Sequence, residues 1–267
     1  MNVLITAGGT SETIDTVRSI TNYSTGKLGS IIADKFASNG ATVTYVCGEN
    51  AVLPSSNNTN IIRIKSVQEL AQTINNLLES QNFDCVIHSM AVSDFTPAAI
   101  LTLDDIVKSL TPIIKSISNI PPPHQQSSTQ KQSDEAIQET IKQAILTSGT
   151  PPTKTKLSSK THDLILQLKP TPKIIHQIKK KQPSTTLVGF KLQTGVSESQ
   201  LLQAAQDLLT QNNCDYVLAN DLQNITAHAH KAILINKQGP VATANTKQEI
   251  AEAIFTAVSE RHFTCKQ

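Results

Sequence analysis

The chain of 267 residues reads as an α/β protein with a doubly wound, mainly parallel sheet resembling a Rossmann fold. Three observations lead there. Short β-branched runs alternate with amphipathic helical periodicities through the first hundred residues, which implies βαβ units with helices on both faces. The first run ends in Ala7-Gly8-Gly9-Thr10, a turn that lets main chain approach a ligand. A second small-residue loop, Asn22 to Gly26, leads into a helix beginning near Lys27, where a helix N-terminus favours an anion. Two such loops close together point to a nucleotide or a phosphorylated substrate.

Strands are expected at 2–6, 42–47, 61–65 and 84–89, where apolar β-branched residues cluster. Helical spacing joins Leu28, Ile31, Ile32, Lys35 and Phe36, and then Val67, Leu70, Ala71, Ile74, Leu77 and Leu78. Gly40 and Gly48 mark a helix stop and a strand end. Residues 99–153 break the order. Pro121-Pro122-Pro123 and the polar run His124 to Ser133 cannot bury much surface. The block is therefore expected as a variable, partly mobile insertion within one domain spanning 1–267, flanked by weak helices at 103–117 and 133–147. A functional lid is one reading of such a segment. Order returns with a strand at 162–166, a short helix started by Pro172, a strand at 186–191 and a helix at 198–211. Strands at 215–219 and 231–236 follow, with a hairpin return at 241–244 after Gln238-Gly239. A helix over 247–261 closes the pattern, and its face of Ile250, Ala253, Ile254, Ala257 and Val258 reads as core packing.

Composition narrows the function. There is no tryptophan, so the core rests on Ile, Leu, Val and Ala, and the net charge of +2 argues against a duplex nucleic-acid binder. The run Lys179-Lys180-Lys181 fits a solvated helix C-terminus. Cys47, Cys85, Cys214 and Cys265 form no C-x-x-C pair, so neither zinc nor a thioredoxin-like motif is indicated. Cys85 and Cys214 lie in apolar runs and are expected to be buried. His228 and His230, with His162 and His176 elsewhere, lack a clear third ligand. They read as surface histidines, and no protein-held metal is expected. No signal peptide opens the chain and no run approaches membrane-spanning length, so a cytoplasmic protein with no membrane partner is expected.

Several polar residues have two readings. The Asn22 amide can polarise a carbonyl oxygen without titrating, or it can make an Asx turn; its chemistry alone leaves the two even. Arg18 is one of three arginines, suited to an anion or to a surface ion pair with Glu12 or Asp15. Asp94 ends an apolar strand, which is a ligand position in doubly wound folds and also a common helix cap. Lys156 reads by itself as a solvated loop charge, and Phe190 as core. Asn220-Asp221 falls at the ligand edge of the sheet.

The wording of residues 5–29, ITAGGTSETIDTVRSITNYSTGKLG, resembles the signature of the phosphopantothenate-cysteine ligase family, G-(G/P)-T-x-E-x-ID-x-VR-x-I-(S/T)-N-x-S-x-G-x-(M/L)-G. Further matches follow in order: Ala91 to Phe95, Lys156 to Lys160, Leu168 to Lys173, Val188 to Leu192 and Asp215 to Asp221. The resemblance implies a ligase of coenzyme A biosynthesis, of the stand-alone bacterial type. Such an enzyme joins the carboxylate of 4′-phosphopantothenate to L-cysteine through an acyl-nucleotide, releasing pyrophosphate and then a nucleoside monophosphate. It implies CTP as co-substrate, with ATP possible, Mg2+ carried largely by the triphosphate, and a homodimer. By the same resemblance Asn22 contacts the activated acyl group and Arg18 supports the second half-reaction. Lys156 neutralises the triphosphate, although Ser158, Ser159 and Lys160 depart from the bifunctional bacterial pattern. Gly8, Gly9, Thr10, Ser11, Met90, Ala91, Asp94, Phe190 and Lys191 are expected around the nucleotide, and Ala91 and Asn220 beside the substrate.

One departure stands out. Bifunctional relatives carry two lysines on the helix before the D-x-x-x-A-N-D strand, where this chain has Leu208 and Asn212. No Lys or Arg occurs between Lys191 and Lys231, and Lys191 is expected to supply part of that charge. Two alternatives belong to other classes. An NAD-dependent oxidoreductase would want G-x-G-x-x-G after the first strand, which is absent, although Glu49 occupies a suggestive place. A non-catalytic relative acting as a binding protein would be favoured by loss of Asn22 or Lys156, and both are present.

Overall fold

The first strand, β1 (Asn2–Ala7), is buried from Val3 onward because it lies inside an eight-stranded sheet. The computed structural model describes residues 1–118, 127–153, 155–226 and 228–264. From β1 the chain turns through α1 (Lys27–Ser38) into β4 (Thr42–Gly48), then β5 (Thr59–Ile64), α2 (Val67–Ser80) and β6 (Cys85–His88). Later come α5 (Ile175–Lys181), β9 (Thr186–Gln193), α6 (Glu198–Asn212) and β10 (Tyr216–Ile225). The hairpin of β11 (His230–Asn236) and β12 (Gly239–Ala244) and the helix α7 (Lys247–Thr264) complete it.

The sheet runs β12-β11-β10-β9-β6-β1-β4-β5. The stretch from β5 to β10 is parallel throughout and follows the 3-2-1-4-5-6 order of doubly wound sheets; β11 and β12 add antiparallel strands beyond it. Strand order therefore reverses between β1 and β6, and their carboxyl ends open a crevice where such folds bind ligands.

Local chemistry explains the helices. Ser66 caps α2 by accepting the Glu69 N–H, and Ser197 and Gln200 form a reciprocal capping box at α6. One apolar face packs α1 and α7 on the sheet, with Phe36 edge-on to Phe255 at 5.2 Å. The other face packs α2, α5 and α6 through Leu70, Ile74, Ile178, Ala205 and Leu209. Cys47, Cys85 and Cys214 are free thiols buried in these layers. Burial pushes the Cys214 thiol up to about 12 and the other two upward as well.

The lysine run at the end of α5 is not simply solvated. Lys179 reaches inward to Asp215 at 2.7 Å and donates to the Thr185 carbonyl at 2.6 Å, because the strand that Asp215 precedes passes beneath the helix end. Asp215 also pairs with Arg261 at 2.6 Å and accepts the Leu187 N–H at 2.8 Å. Asp215→Ala leaves Lys179 without its buried partner and is expected to cost about 3 kcal/mol. A shift in the urea midpoint measures it, and an unchanged midpoint would make the network dispensable.

Two histidines are also interior. His88 shares a hydrogen bond with Thr6 Oγ1 at 2.9 Å, and burial lowers its pKa to about 4. His230 was expected at the surface; instead it opens β11 on the buried side, beside Asn220 at 3.1 Å. Burial first, then Lys247, brings its pKa down to about 4. Both rings are neutral in the fold, whereas an unfolded histidine takes up its proton near 6.5. Their stabilisation is complete above pH 6.5 and falls as pH drops toward 4, by up to about 3 kcal/mol each. A urea midpoint that stays flat from neutral pH down to 5 would contradict this.

The chain divides into two compact units. Met1–Ser11, Thr21–Asp94 and Pro172–Gln267 form the first, which contains the sheet; Glu12–Ile20 and Phe95–Thr171 form the second. In the second, β7 (Phe95–Thr102) pairs antiparallel with β8 (Leu164–Pro170), and α3 (Leu103–Ser118) packs with α4 (Ser127–Ser148). The insertion expected at 99–153 thus starts inside a strand, β7, which no local pattern marks. The Pro121–Pro123 run lies outside the described residues. The backbone from Ser127 is helical, earlier than the expected start at 133, and downstream pairs such as Glu139–Gln143 at 2.8 Å support that helix. A short two-stranded ribbon pairs β2 (Ser11–Thr13) with β3 (Ser19–Thr21).

Candidate active site

The crevice between β1 and β6 is built from main chain. Gly8 turns the chain out of β1 with φ +78°, a conformation that favours glycine. Its carbonyl accepts the Ala91 N–H at 2.8 Å, and the Thr10 N–H returns to the Ala91 carbonyl at 3.2 Å. Gly9 thereby bridges Ala91 in parallel. A Cβ on Gly9 would lie 2.3 Å from the Asn22 carbonyl oxygen, so only glycine permits this approach. Thr10, fully buried, seals the turn: its Oγ1 donates to Ser93 Oγ at 3.0 Å and accepts the Ser93 N–H at 2.9 Å.

Asn22 sits on this frame. Its Nδ2 donates to the Val92 carbonyl at 3.0 Å, and Thr21 Oγ1 donates to the Thr10 carbonyl at 2.9 Å. The amide is therefore oriented across the crevice rather than closing an Asx turn. Met90 is buried, its N–H directed at Thr6 Oγ1 at 3.3 Å. Gly8, Gly9, Thr10, Ser11, Asn22, Met90 and Ala91 are thus brought together. Asp94 follows at the rim, exposed and paired with Lys173 of the Leu168-to-Lys173 match. Lys173 had been given no role from sequence.

Phe190, Lys191 and Asn220 lie on neighbouring strands at the same carboxyl edge. Phe190 stands opposite Leu218 and Lys191 opposite Ala219, with Asn220 one position further. Phe190 and Lys191 are half-buried; Asn220 is buried and spends its amide on His230. Asp221 turns back to organise the approach to α6. It accepts N–H groups from Gln223 at 2.9 Å and from Gly195 and Val196 at 3.2 Å each, which hold its carboxyl below the usual range.

Arg18 and Lys156 belong to the second unit. Arg18 pairs with Asp15 at 3.3 Å, the surface-pair partner considered from sequence, but Asp15 itself is buried. Its carboxylate accepts N–H groups from Val17 and Arg18 at 2.8 Å and from Leu157 at 3.0 Å. The Val17 hydrogen bond is the largest influence holding that carboxyl low. Asp15 therefore fastens the segment carrying exposed Lys156 to the turn carrying Arg18. Asp15 lies in the I-D-T-V-R string itself, so its position in the motif was the available signal.

Two cavities open in the first unit. One of about 120 Å3 lies beside the glycine turn, lined by Gly9, Ser11, Asn22, Ser24, Glu49 and Lys65 among others. The other, about 190 Å3, lies among α6, β10 and β11, with Glu198 and Lys231 paired on its wall at 3.4 Å. Among the described residues no group of three His, Cys, Asp or Glu side chains could hold a metal ion, and no helix is long and apolar enough to cross a membrane.

A doubly wound sheet with a glycine-rich crevice at its point of reversal defines an α/β protein of the class that binds ligands at the carboxyl edge of its sheet. The model of the DNA/pantothenate metabolism flavoprotein C-terminal domain matches residues 1–108 and 130–262, and the chain belongs to that family. It is 30% identical over 259 residues to the coenzyme A biosynthesis bifunctional protein CoaBC of Thermococcus kodakarensis, covering 97% of this chain and 51% of the relative. It is 34% identical to the crystal structure of the DNA/pantothenate metabolism flavoprotein from Streptococcus pneumoniae, with a TM-score of 0.76, covering 98% of this chain and all of that one. A Cab2 H337A mutant in complex with phosphopantothenate-cysteine shares the fold, at 19% identity and a TM-score of 0.63 over 98% of this chain and 86% of that one. The chain spans about half the length of the CoaBC relatives it matches.

Proposed function

We propose that this chain joins 4′-phosphopantothenate to L-cysteine through an acyl-cytidylate, giving 4′-phospho-N-pantothenoylcysteine, CMP and pyrophosphate in the cytoplasm. The observation that carries the reading is the Asn22 amide, held across the glycine crevice beside Met90 and Ala91. Family membership and the coenzyme A function named for the CoaBC relatives support it.

The chemistry asks for donors at two places. Forming the acyl-nucleotide concentrates negative charge on the phosphoryl oxygens and the departing pyrophosphate, for which Lys156 is the proposed cation. Amine attack then places charge on the former carboxyl oxygen, for which the Asn22 Nδ2 is the proposed donor. Main-chain N–H groups of the glycine turn bind phosphate, Phe190 and Asp94 border the nucleotide, and Lys191 adds positive charge where the α6 lysines are missing. Mg2+ would neutralise the triphosphate when bound; with no cluster of three protein ligands among the described residues, one or two carboxylates and the phosphates themselves would hold it. A homodimer is the expected assembly.

Incubating the protein with 4′-phosphopantothenate, cysteine and Mg2+, and with CTP or ATP in turn, tests the reading. Pyrophosphate release dependent on phosphopantothenate, with CTP preferred, is the expected result. No coupled product with either nucleotide would overturn it.

A further inference from the structure

The 120 Å3 cleft holds two groups that no motif of the chain includes, Lys65 and Glu49. Both are held by their main chain. The Lys65 carbonyl accepts the Ser11 N–H at 2.7 Å, and its own N–H donates to the Glu69 carboxylate at 2.8 Å. Arg63 donates to the Glu49 carbonyl at the end of β4. Gly9, Asn22 and Ser24 of the two glycine loops line the same cleft. Neither Lys65 nor Glu49 has an ion-pair partner among the described residues.

A cleft presenting one cation and one carboxylate is poorly matched to a bare anion, which Glu49 would repel. It is well matched to an anion that carries its own cation. Magnesium bound to phosphates keeps much of its water and accepts one or two carboxylates, while Lys is a point-charge partner for phosphoryl oxygens. We infer that this cleft binds a magnesium-chelated polyphosphate, with Lys65 on the phosphoryl oxygens and Glu49 toward the metal. The inference rests on the ligase reading, in which pyrophosphate leaves beside the glycine turn. It also supplies, from the opposite side of β1, positive charge that α6 lacks between Lys191 and Lys231.

Calorimetric titration of the full chain with pyrophosphate, with and without Mg2+, tests it. For the unaltered protein, Mg2+ is expected to tighten binding. Lys65→Gln should weaken pyrophosphate roughly tenfold in both conditions, the loss of one charge-assisted contact, while Lys65→Arg retains most of it. Glu49→Gln should abolish the tightening by Mg2+ and leave metal-free binding equal or stronger. Unchanged affinity in Lys65→Gln, or a full Mg2+ response in Glu49→Gln, overturns the assignment. So does a Lys65→Gln defect confined to 4′-phosphopantothenate, which would give the cleft to a phosphate monoester. Unchanged melting temperatures of the variants exclude misfolding. Failure of the ligase reading looks different: the unaltered protein would bind magnesium pyrophosphate yet make no phosphopantothenoylcysteine.

Discussion

Asn22→Asp is expected to accumulate acyl-nucleotide while the yield of phosphopantothenoylcysteine falls about 10²- to 10³-fold, the usual loss when an oxyanion donor is removed. The substitution keeps the size of the side chain but replaces the Nδ2 donor, now 3.0 Å from the Val92 carbonyl, with a second carboxylate oxygen. That oxygen faces a carbonyl instead of donating to it, and it repels the charge that develops as cysteine adds. Activation of the carboxylate does not use this donor, so the first half-reaction continues. Mass spectrometry of quenched reactions reads both species. A variant that makes neither would assign Asn22 to activation instead.

Lys156→Gln should fail earlier, with acyl-nucleotide itself reduced by about 10²-fold or more, because an ammonium that offsets triphosphate charge is replaced by a neutral amide. Its exposed position predicts little change in stability, so a normal melt with no intermediate is the diagnostic pair. Equal intermediate levels in the Asn22 and Lys156 variants would end the proposed division between them.

The sheet could be read from the sequence because the inner parallel strands β1, β4 and β6 are buried on both faces and so appear as continuous apolar runs. Thr42–Gly48 lies within two residues of expectation for that reason. β7 could not be read. Phe95–Thr102 contains Pro97, follows a charged rim residue and pairs with a strand more than sixty residues later, so no local pattern marks it. His230 was misjudged because an H-x-H spacing says nothing about which face of a strand each ring occupies; His228 is exposed and His230 is buried. Within the site, Asn22, Gly8 and Thr10 were visible as motif letters. Ser93 and Val92 contribute a hydroxyl and a carbonyl that sequence cannot orient. Lys65 and Glu49 were invisible as a pair, since they follow different strands and only the register of Gly48 opposite Ile64 sets them side by side.

The buried thiols bear on the surroundings in which such an enzyme would work. A catalyst consuming free cysteine is bathed in a small thiol and its oxidised dimer, and any accessible thiolate would be drawn into mixed disulfides. Cys47, Cys85 and Cys214 offer neither access nor ionisation, so exchange at these three positions must wait for unfolding. Their rate of labelling by a disulfide reagent therefore serves as a clock for global opening of the sheet.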